Sequence, residues 1–199
     1  SLTDAETVYA GVEDAALFRS IDGGQGWHEL SGLRGHGSGP YWQPGAGGLC
    51  LHSICPVPGD PQRLSLAISA AGSWHTGDGG ATWRRGIAGL VPRYLPEEAR
   101  ADTHTYCIHK LVRSADPETM YLQFHLGVYR SDDGGMTWND IAQGLPADFG
   151  FPMVADPRDP DRAWVIPLVS DYDRVTPEGK LRVYETTDRG ATWTARTDG

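Results

Sequence analysis

The sequence has few lysines, few cysteines and no long apolar run, and each shortage argues against a class of protein. Only two of its 17 basic residues are lysine and the formal net charge is −9, which argues against a basic face that could hold nucleic acid or an anionic membrane. No run approaches the roughly 18 apolar residues that a membrane span needs. The three cysteines form no disulfide framework and favour a reducing compartment, so we expect a cytoplasmic location.

Glycine, proline and aromatic residues are abundant instead. The chain has 26 Gly, 14 Pro, 7 Trp and 8 Tyr among its 199 residues. This composition suits many short strands joined by tight turns, and no segment has the pattern of a long amphipathic helix. The composition therefore predicts an all-β protein, and the chain is long enough for a sizeable core.

One motif occurs four times, at Ser20–Trp27, Thr76–Trp83, Ser131–Trp138 and Thr186–Trp193, and its aspartates lie 56, 55 and 55 positions apart. A fixed period of this size indicates one repeated supersecondary unit. The Ser or Thr and the Asp can bond backbone N–H groups of their own turn, and the tryptophan packs beneath it. We therefore predict a structural role for these repeated turns, whose key residues are Asp22, Trp27, Asp78, Trp83, Asp133, Trp138, Asp188 and Trp193.

The repeated turn resembles the Asp-box, or BNR repeat, of the sialidase-like β-propellers. The whole chain resembles bacterial proteins with such repeats, many of which are labelled glycosyl hydrolases. For a true sialidase, the resemblance implies an arginine triad, a Tyr–Glu nucleophile pair, an Asp acid and an Arg-Ile-Pro stretch near the start. The chain lacks that stretch and no motif maps its arginines onto the triad, so no catalytic residue carries over.

The segments between the repeated turns share one order of strands. An apolar strand runs into a turn that is usually Asp-Pro, a second and a third strand follow, and a fourth leaves the repeated turn. Four antiparallel strands per unit of this size are typical of a propeller blade. The sequence thus predicts a single β-propeller region over residues 1–199, with blades at about 1–33, 48–90, 105–145 and 149–199.

These blades number about three and a half to four, whereas propellers with blades of this length usually close with more. We expect the innermost strand of the first blade to lie before Ser1. The sequence then predicts part of a six- or seven-bladed ring, which is completed by further blades of the same protein or by a second copy.

The repeated turns and the Asp-Pro turns are expected on one face, and the irregular connections on the other. Irregular insertions on one face of a repeat protein usually mark the binding face. The alternative is that these loops form a surface without a binding function. We expect a glycan, a small molecule or a protein to bind this loop face. The candidate residues there are Tyr41, Trp42, His104, His125, Asp171, Tyr172 and Asp173.

Two predicted innermost strands carry the same Cys-x-His pattern, Cys50 with His52 and Cys107 with His109. Residues i and i+2 of a strand point the same way, so the four side chains could hold Zn²⁺ beside the channel of the propeller. A thiolate–imidazole pair for nucleophilic catalysis is a second interpretation. Ordinary packing is a third, and no cofactor is predicted otherwise.

Two functions remain open from the sequence. The first is a scaffold that binds a glycan or a protein through its loop face, and the absence of a recognisable catalytic constellation favours it. The second is a glycoside hydrolase with its site at the channel mouth, completed by blades outside this sequence. Such an enzyme needs two carboxylates across the scissile bond, and the candidates on the loop face are Glu97, Glu98, Asp102, Asp171 and Asp173.

Overall fold

A computed structural model describes residues 1, 4–101 and 103–198, and its regular structure is almost entirely β-strand. Short 3₁₀ turns supply the helical segments of this described part, at Glu13–Ala15, Gly39–Tyr41, Glu97–Ala99 and Pro177–Gly179. Within the same residues, no helix is long and apolar enough to cross a bilayer. The chain divides into two compact units, of which the first comprises Ser1–Gly86 with His104–Cys107 and the second Ile87–Thr103 with Ile108–Gly199.

The first unit contains two antiparallel sheets whose strands follow one another in chain order. The first sheet consists of β1 (Val8–Gly11), β2 (Leu17–Ser20) and β3 (His28–Glu29). The second sheet consists of β4 (Leu51–Val57), β5 (Asp60–Ile68), β6 (Gly72–Thr76) and β7 (Arg84–Arg85). Apolar side chains between the two sheets form the core of this unit, including Leu17, Leu66, Ile68 and Trp74.

The second unit contains two four-stranded antiparallel sheets, again in chain order. The third sheet consists of β8 (Ile108–Arg113), β9 (Met120–Phe124), β10 (Gly127–Ser131) and β11 (Asn139–Asp140). The fourth sheet consists of β12 (Phe149–Ala155), β13 (Ala163–Leu168), β14 (Tyr184–Thr186) and β15 (Thr194–Ala195). The core of this unit includes Tyr121, Val128, Met153 and Val165.

The second repeated turn shows why this motif closes the end of a sheet. The Thr76 hydroxyl donates to Asp78 Oδ1 at 2.7 Å and accepts the N–H of Gly80 at 3.0 Å, while Thr82 donates its N–H and its hydroxyl to Asp78 at 2.9 and 2.6 Å. The Thr82 hydroxyl and these other donors lower the pKa of Asp78 to about 2. The Ser/Thr-to-Asp bond and the backbone donors recur in the other three turns. These carboxylates are thus engaged in holding their own turns.

The fourth repeated turn differs from the others at one position. Arg189 stands where the first three turns have glycine, and it takes a left-handed φ of +65°. An L-residue rarely adopts this conformation without support. The Arg189 side chain pairs with Asp161 at 2.7 Å, so an ion pair accompanies the unfavourable backbone.

Each repeated turn is also hydrogen-bonded to another turn of its predicted blade, the one that joins the first strand to the second. In all four cases the residue after the aspartate donates its backbone N–H to a carbonyl of that other turn at 2.8–3.0 Å. The pairs are Gly23 with Glu6, Gly79 with Gln62, Gly134 with Glu118, and Arg189 with Asp161. The two kinds of turn therefore lie at the same edge of each sheet, and the other connections lie at the opposite edge, called here the loop edge.

A register shift interrupts the first strand of every four-stranded sheet close to its start. The shifts lie between Leu51 and Ser53 in β4, between Ile108 and Lys110 in β8, and between Gly150 and Met153 in β12. The residues that the strand register skips are His52, His109 and Phe151 with Pro152. A bulge re-aims the side chain it carries and breaks the two-residue alternation of the strand, so these shifts decide which way the loop-edge side chains point.

Candidate functional site

Most of the polar and aromatic residues predicted to bind a ligand lie at the loop edge of the second unit. Phe124 at the end of β9 pairs with Ile108 at the start of β8, and Leu168 at the end of β13 pairs with Phe149 at the start of β12. This register brings the turn after β9, the start of β12 and the β13–β14 connection (residues 169–183) to one edge. Residues far apart in sequence can therefore form a single site.

His125 and Asp171 make the central polar contact of this edge. His125 directly follows β9 and Asp171 lies in the β13–β14 connection, and His125 Nε2 is 3.2 Å from Asp171 Oδ2. Their side chains are 19% and 31% exposed, so the pair is partly shielded from water. The other ring nitrogen of His125, Nδ1, is buried and has no hydrogen-bond partner among the residues that the structure describes.

His109 lies beside His125, with the two ring centroids 5.2 Å apart. Its Nδ1 is 2.6 Å from the carbonyl oxygen of Gly150, and its ring stacks on Phe151 at 4.5 Å with an interplanar angle of 17°. Phe149 meets both imidazoles edge-on, at 5.3 and 5.4 Å. The stacked residues, His109 and Phe151, are both bulge residues, so two neighbouring strand irregularities create this contact.

Arg93 and Tyr94 belong to the long connection between β7 and β8, which is one of the irregular connections expected on the loop face. The Arg93 guanidinium bonds Asp140 at 3.1 Å, Asp148 at 2.6 Å and the carbonyl of Leu126 at 3.0 Å. This anchor fixes the connection against the third sheet and places the Tyr94 ring 4.9 Å from His125. Neither the anchoring role of Arg93 nor the aromatic ring of Phe149 was identified from the sequence, because no local motif marks them.

The most exposed aromatic side chain of this edge is Tyr172, at 97%. It lies between Asp171 and Asp173 in a connection closed by Ser170, whose backbone N–H donates to the Asp173 carbonyl at 3.2 Å. The guanidinium of Arg174 stands over Phe151 at 5.3 Å, and Phe151 is itself 38% exposed. This edge thus presents aromatic surface beside a carboxylate, an imidazole and a guanidinium.

In the first unit, Tyr41 and His104 form a smaller exposed platform. Their rings stack at 5.2 Å and 30°, and Tyr41 is 63% exposed. Arg85 donates to the carbonyl oxygen of His104 at 2.5 Å, and this bond holds the backbone at His104 in place. The sequence pattern had suggested both residues as ligand contacts, and the structure brings them together.

Trp42, by contrast, lies in the core of the first unit and not on its surface. It is 6% exposed, its ring centroid is 5.0 Å from that of Trp74, and its indole N–H donates to the Ser38 hydroxyl at 3.1 Å. A buried ring cannot stack on a ligand. The sequence placed Trp42 beside Tyr41 on the loop face because adjacent residues of an irregular connection carry no periodic signal of burial.

The cysteine and histidine candidates of the first unit lie at the start of β4 and just before β8. His52 Nδ1 is 2.9 Å from the Ser53 hydroxyl, and Cys50 directly precedes β4. Burial raises the pKa of the Cys107 thiol, which disfavours the thiolate that nucleophilic catalysis needs. The bulge at His52 interrupts the alternation on which a shared face for Cys50 and His52 depends.

The remaining acidic candidates contribute little to this picture. Glu97 and Glu98 are exposed in a 3₁₀ turn, and Asp102 lies outside the described residues. A polar cleft of about 540 Å³ lies in the first unit beside the second repeated turn. Because it includes Asp78 and Gly79 of that turn, this cleft belongs to the edge opposite the loops.

Several solved β-propeller structures are similar to the chain. An ancestral GH74 enzyme superposes with a TM-score of 0.69 at 16% identity over 99% of this chain and 25% of its own. The GH74 xyloglucanase from Xanthomonas campestris gives 0.64 at 15% identity over 98% and 29%, and YCF48 from Cyanidioschyzon merolae gives 0.56 at 14% over 98% and 53%. The chain has a β-propeller fold. The predicted all-β class and four-stranded blades are thereby confirmed.

These similarities concern the fold alone, because every identity is below 20%. The chain spans about a quarter of the length of the two GH74 enzymes and about half that of YCF48. No protein-family model matches the chain, and the comparison with curated proteins gave no match either.

Proposed function

We propose that the chain is a BNR-type, sialidase-like propeller scaffold that binds a glycan at the loop edge of its second unit. The observation that carries the proposal is the His125–Asp171 pair flanked by the accessible rings of Phe151 and Tyr172. Aromatic faces with a few convergent polar groups are typical of ligand sites. The family assignment rests on the four Asp-containing turns and their uniform local bonding.

A glycan suits this edge better than a flat protein partner, for a chemical reason. Tyr172 offers an exposed apolar face, while the Asp171 carboxylate and the Arg174 guanidinium offer an acceptor and donors within the same connection. Sugars combine apolar C–H faces with hydroxyl groups and require both kinds of contact. One of the structural neighbours is named a xyloglucanase, which makes a neutral oligosaccharide a reasonable first probe.

Binding is tested by titrating the purified chain with xyloglucan oligosaccharides and with sialyllactose in a calorimeter. We expect saturable binding of one of these probes, weakened at least about tenfold by Tyr172→Ala or Phe151→Ala, since stacking contacts contribute about 1–3 kcal/mol where a ring carries them. Ile21→Ala is the matched control, because Ile21 is 65% exposed in the first repeated turn at the opposite edge. Equal affinities of the three variants would refute the site, and binding of neither probe would refute the glycan proposal.

A glycoside hydrolase is the second candidate, and Asp171 is the observation that favours it. A carboxylate that bonds an imidazole beside accessible aromatic rings is a reasonable acid or nucleophile, but hydrolysis needs a second carboxylate across the bond. Turnover of aryl glycosides by the wild-type chain, abolished by Asp171→Asn while binding persists, would establish the hydrolase. Binding without turnover would leave the scaffold function alone.

A further inference from the structure

His109 and His125 carry an arrangement that glycan binding does not require. Both are partly buried, His109 lies in β8 and His125 in the turn after β9, and a ring nitrogen of each is hydrogen-bonded. We propose that this pair binds one divalent transition-metal ion of the zinc class. The metal site would share His125 and Asp171 with the proposed glycan site, but it does not require that a glycan binds there.

The hydrogen bonds determine which ring nitrogens carry protons in the neutral imidazoles. A carbonyl oxygen can only accept, so Nδ1 of His109 donates to Gly150 and the lone pair is on Nε2. An ionised carboxylate also only accepts, so Nε2 of His125 donates to Asp171 and the lone pair is on Nδ1. Metal-binding histidines commonly donate their other ring N–H to a carbonyl or a carboxylate in this way.

The positions of the two rings also fit a shared ion. A ring nitrogen of His109 and one of His125 lie within 4.8 Å of each other. Two imidazole nitrogens bound to one Zn²⁺ at about 2.0–2.1 Å in a tetrahedral site lie about 3.3–3.5 Å apart. A separation within 4.8 Å is therefore close to the one that a shared ion requires.

The surroundings of His125 leave a buried lone pair on Nδ1 that a metal ion would occupy. His125 Nδ1 has no hydrogen-bond partner in the described part of the chain, and a buried acceptor without a partner is costly. Phe149 packs against both rings and Phe151 stacks on His109, which restricts their orientations. Imidazole ligands suit Zn²⁺, Cu²⁺ and Ni²⁺, and two protein nitrogens leave the other coordination positions open to water or to a further ligand.

The test is a zinc titration of the chelator-treated chain by calorimetry, with the cobalt absorption spectrum as an independent readout. We expect one Zn²⁺ per chain and its loss in both His109→Gln and His125→Gln. Asp171→Asn should weaken zinc binding by roughly 10–100-fold, because that carboxylate orients a ligand without touching the ion. His28→Gln is the matched control, since His28 is exposed on β3 of the other unit.

Three results would overturn the site. One is the absence of saturable zinc binding by the wild-type chain. Another is retention of zinc binding in folded His109→Gln or His125→Gln protein. The third is a loss of zinc binding in His52→Gln that equals the loss in His125→Gln. That result would favour the cysteine–histidine cluster suggested by the sequence. Should a variant fail to fold, imidazole NMR of the wild-type chain decides instead, because zinc must shift the His109 and His125 resonances and leave those of His28. Glycan titrations run in chelator separate failure of this site from failure of the proposed function.

Discussion

His125 Nε2 and Asp171 Oδ2 lie 3.2 Å apart although 46 residues separate them in sequence. The bond links the turn after β9 to the β13–β14 connection, so it ties the third sheet to the loop that carries Tyr172. Because Tyr172 is almost fully exposed, few other contacts of its own side chain can hold it. The His125–Asp171 pair therefore sets the position of the proposed binding surface.

Asp171→Ala should release the β13–β14 connection without unfolding the protein. A side-chain hydrogen bond of this kind contributes about 0.5–1.5 kcal/mol to stability, so the free energy of unfolding should change little. Amide hydrogen exchange in residues 169–176 should become faster, because the loop loses its tie to the third sheet. Asp173→Ala is the control from the same loop, and equal exchange in the two variants would contradict the role of Asp171.

Trp42 and Tyr41 should respond to alanine substitution in opposite ways despite being adjacent. Trp42→Ala removes a buried ring that packs on Trp74, and we expect it to lower the free energy of unfolding by about 3–5 kcal/mol. Tyr41→Ala removes an exposed ring and should cost less than about 1 kcal/mol. Urea denaturation of both variants checks the difference, and similar losses would show that the assigned burial of Trp42 is incorrect.

Gly89 and Gly144 offer a matched pair for testing close packing between neighbouring segments. Both adopt left-handed conformations, with φ of +88° and +93°, so alanine is strained at either position. At Gly89 an added Cβ would also overlap the backbone carbonyl oxygen of Trp138, whereas no atom lies within 4 Å of one at Gly144. Gly89→Ala should therefore cost about 1–3 kcal/mol more than Gly144→Ala. Thermal or urea unfolding measures this difference, and equal losses would exclude the close contact.

The repeated turns should make the protein sensitive to acid. The folded-state pKa of Asp78 is about 2, below its ordinary value of 3.8, and the pKa values of Asp22, Asp133 and Asp188 are also lowered. A depressed pKa contributes stability above the unfolded-state pKa, and that contribution is lost as the pH falls through the folded-state value. Stability should therefore decline between about pH 4 and pH 2.

Asp78→Asn tests this origin of the acid sensitivity. The variant should be less stable than the wild-type chain at neutral pH and should lose less stability on acidification, since one titrating carboxylate has been removed. Urea midpoints measured at several pH values follow both effects. If the curves of the two proteins ran parallel, Asp78 would not be one of the groups responsible.

The propeller fold was predictable because it depends on a local motif that recurs. The Thr76–Trp83 segment contains its own donors, acceptors and glycine, so its conformation follows from residues that are neighbours in sequence. The same applies to the other three turns, and their period of about 55 residues leaves room for four strands in each unit. Prediction of blades therefore required no knowledge of distant contacts.

The candidate site was predictable only in part. His125, Asp171 and Tyr172 were identified because they fall in irregular connections, where binding residues concentrate. The role of Phe151 was not, because a bulge moves it out of the regular alternation of β12. The burial of Trp42 was missed for a related reason, since an irregular segment has no period from which burial can be read.

Sequence alone determined the repeated turns, the strand order within each blade and the acidic, lysine-poor character of the chain, because all of these depend on composition or on neighbouring residues. Tertiary structure decided which side chains meet at the loop edge. The contact between His109 and Phe151 requires two bulges, and the bond between His125 and Asp171 requires two sheets to lie side by side. Such relationships come from strand register and packing, which no local stretch of sequence specifies.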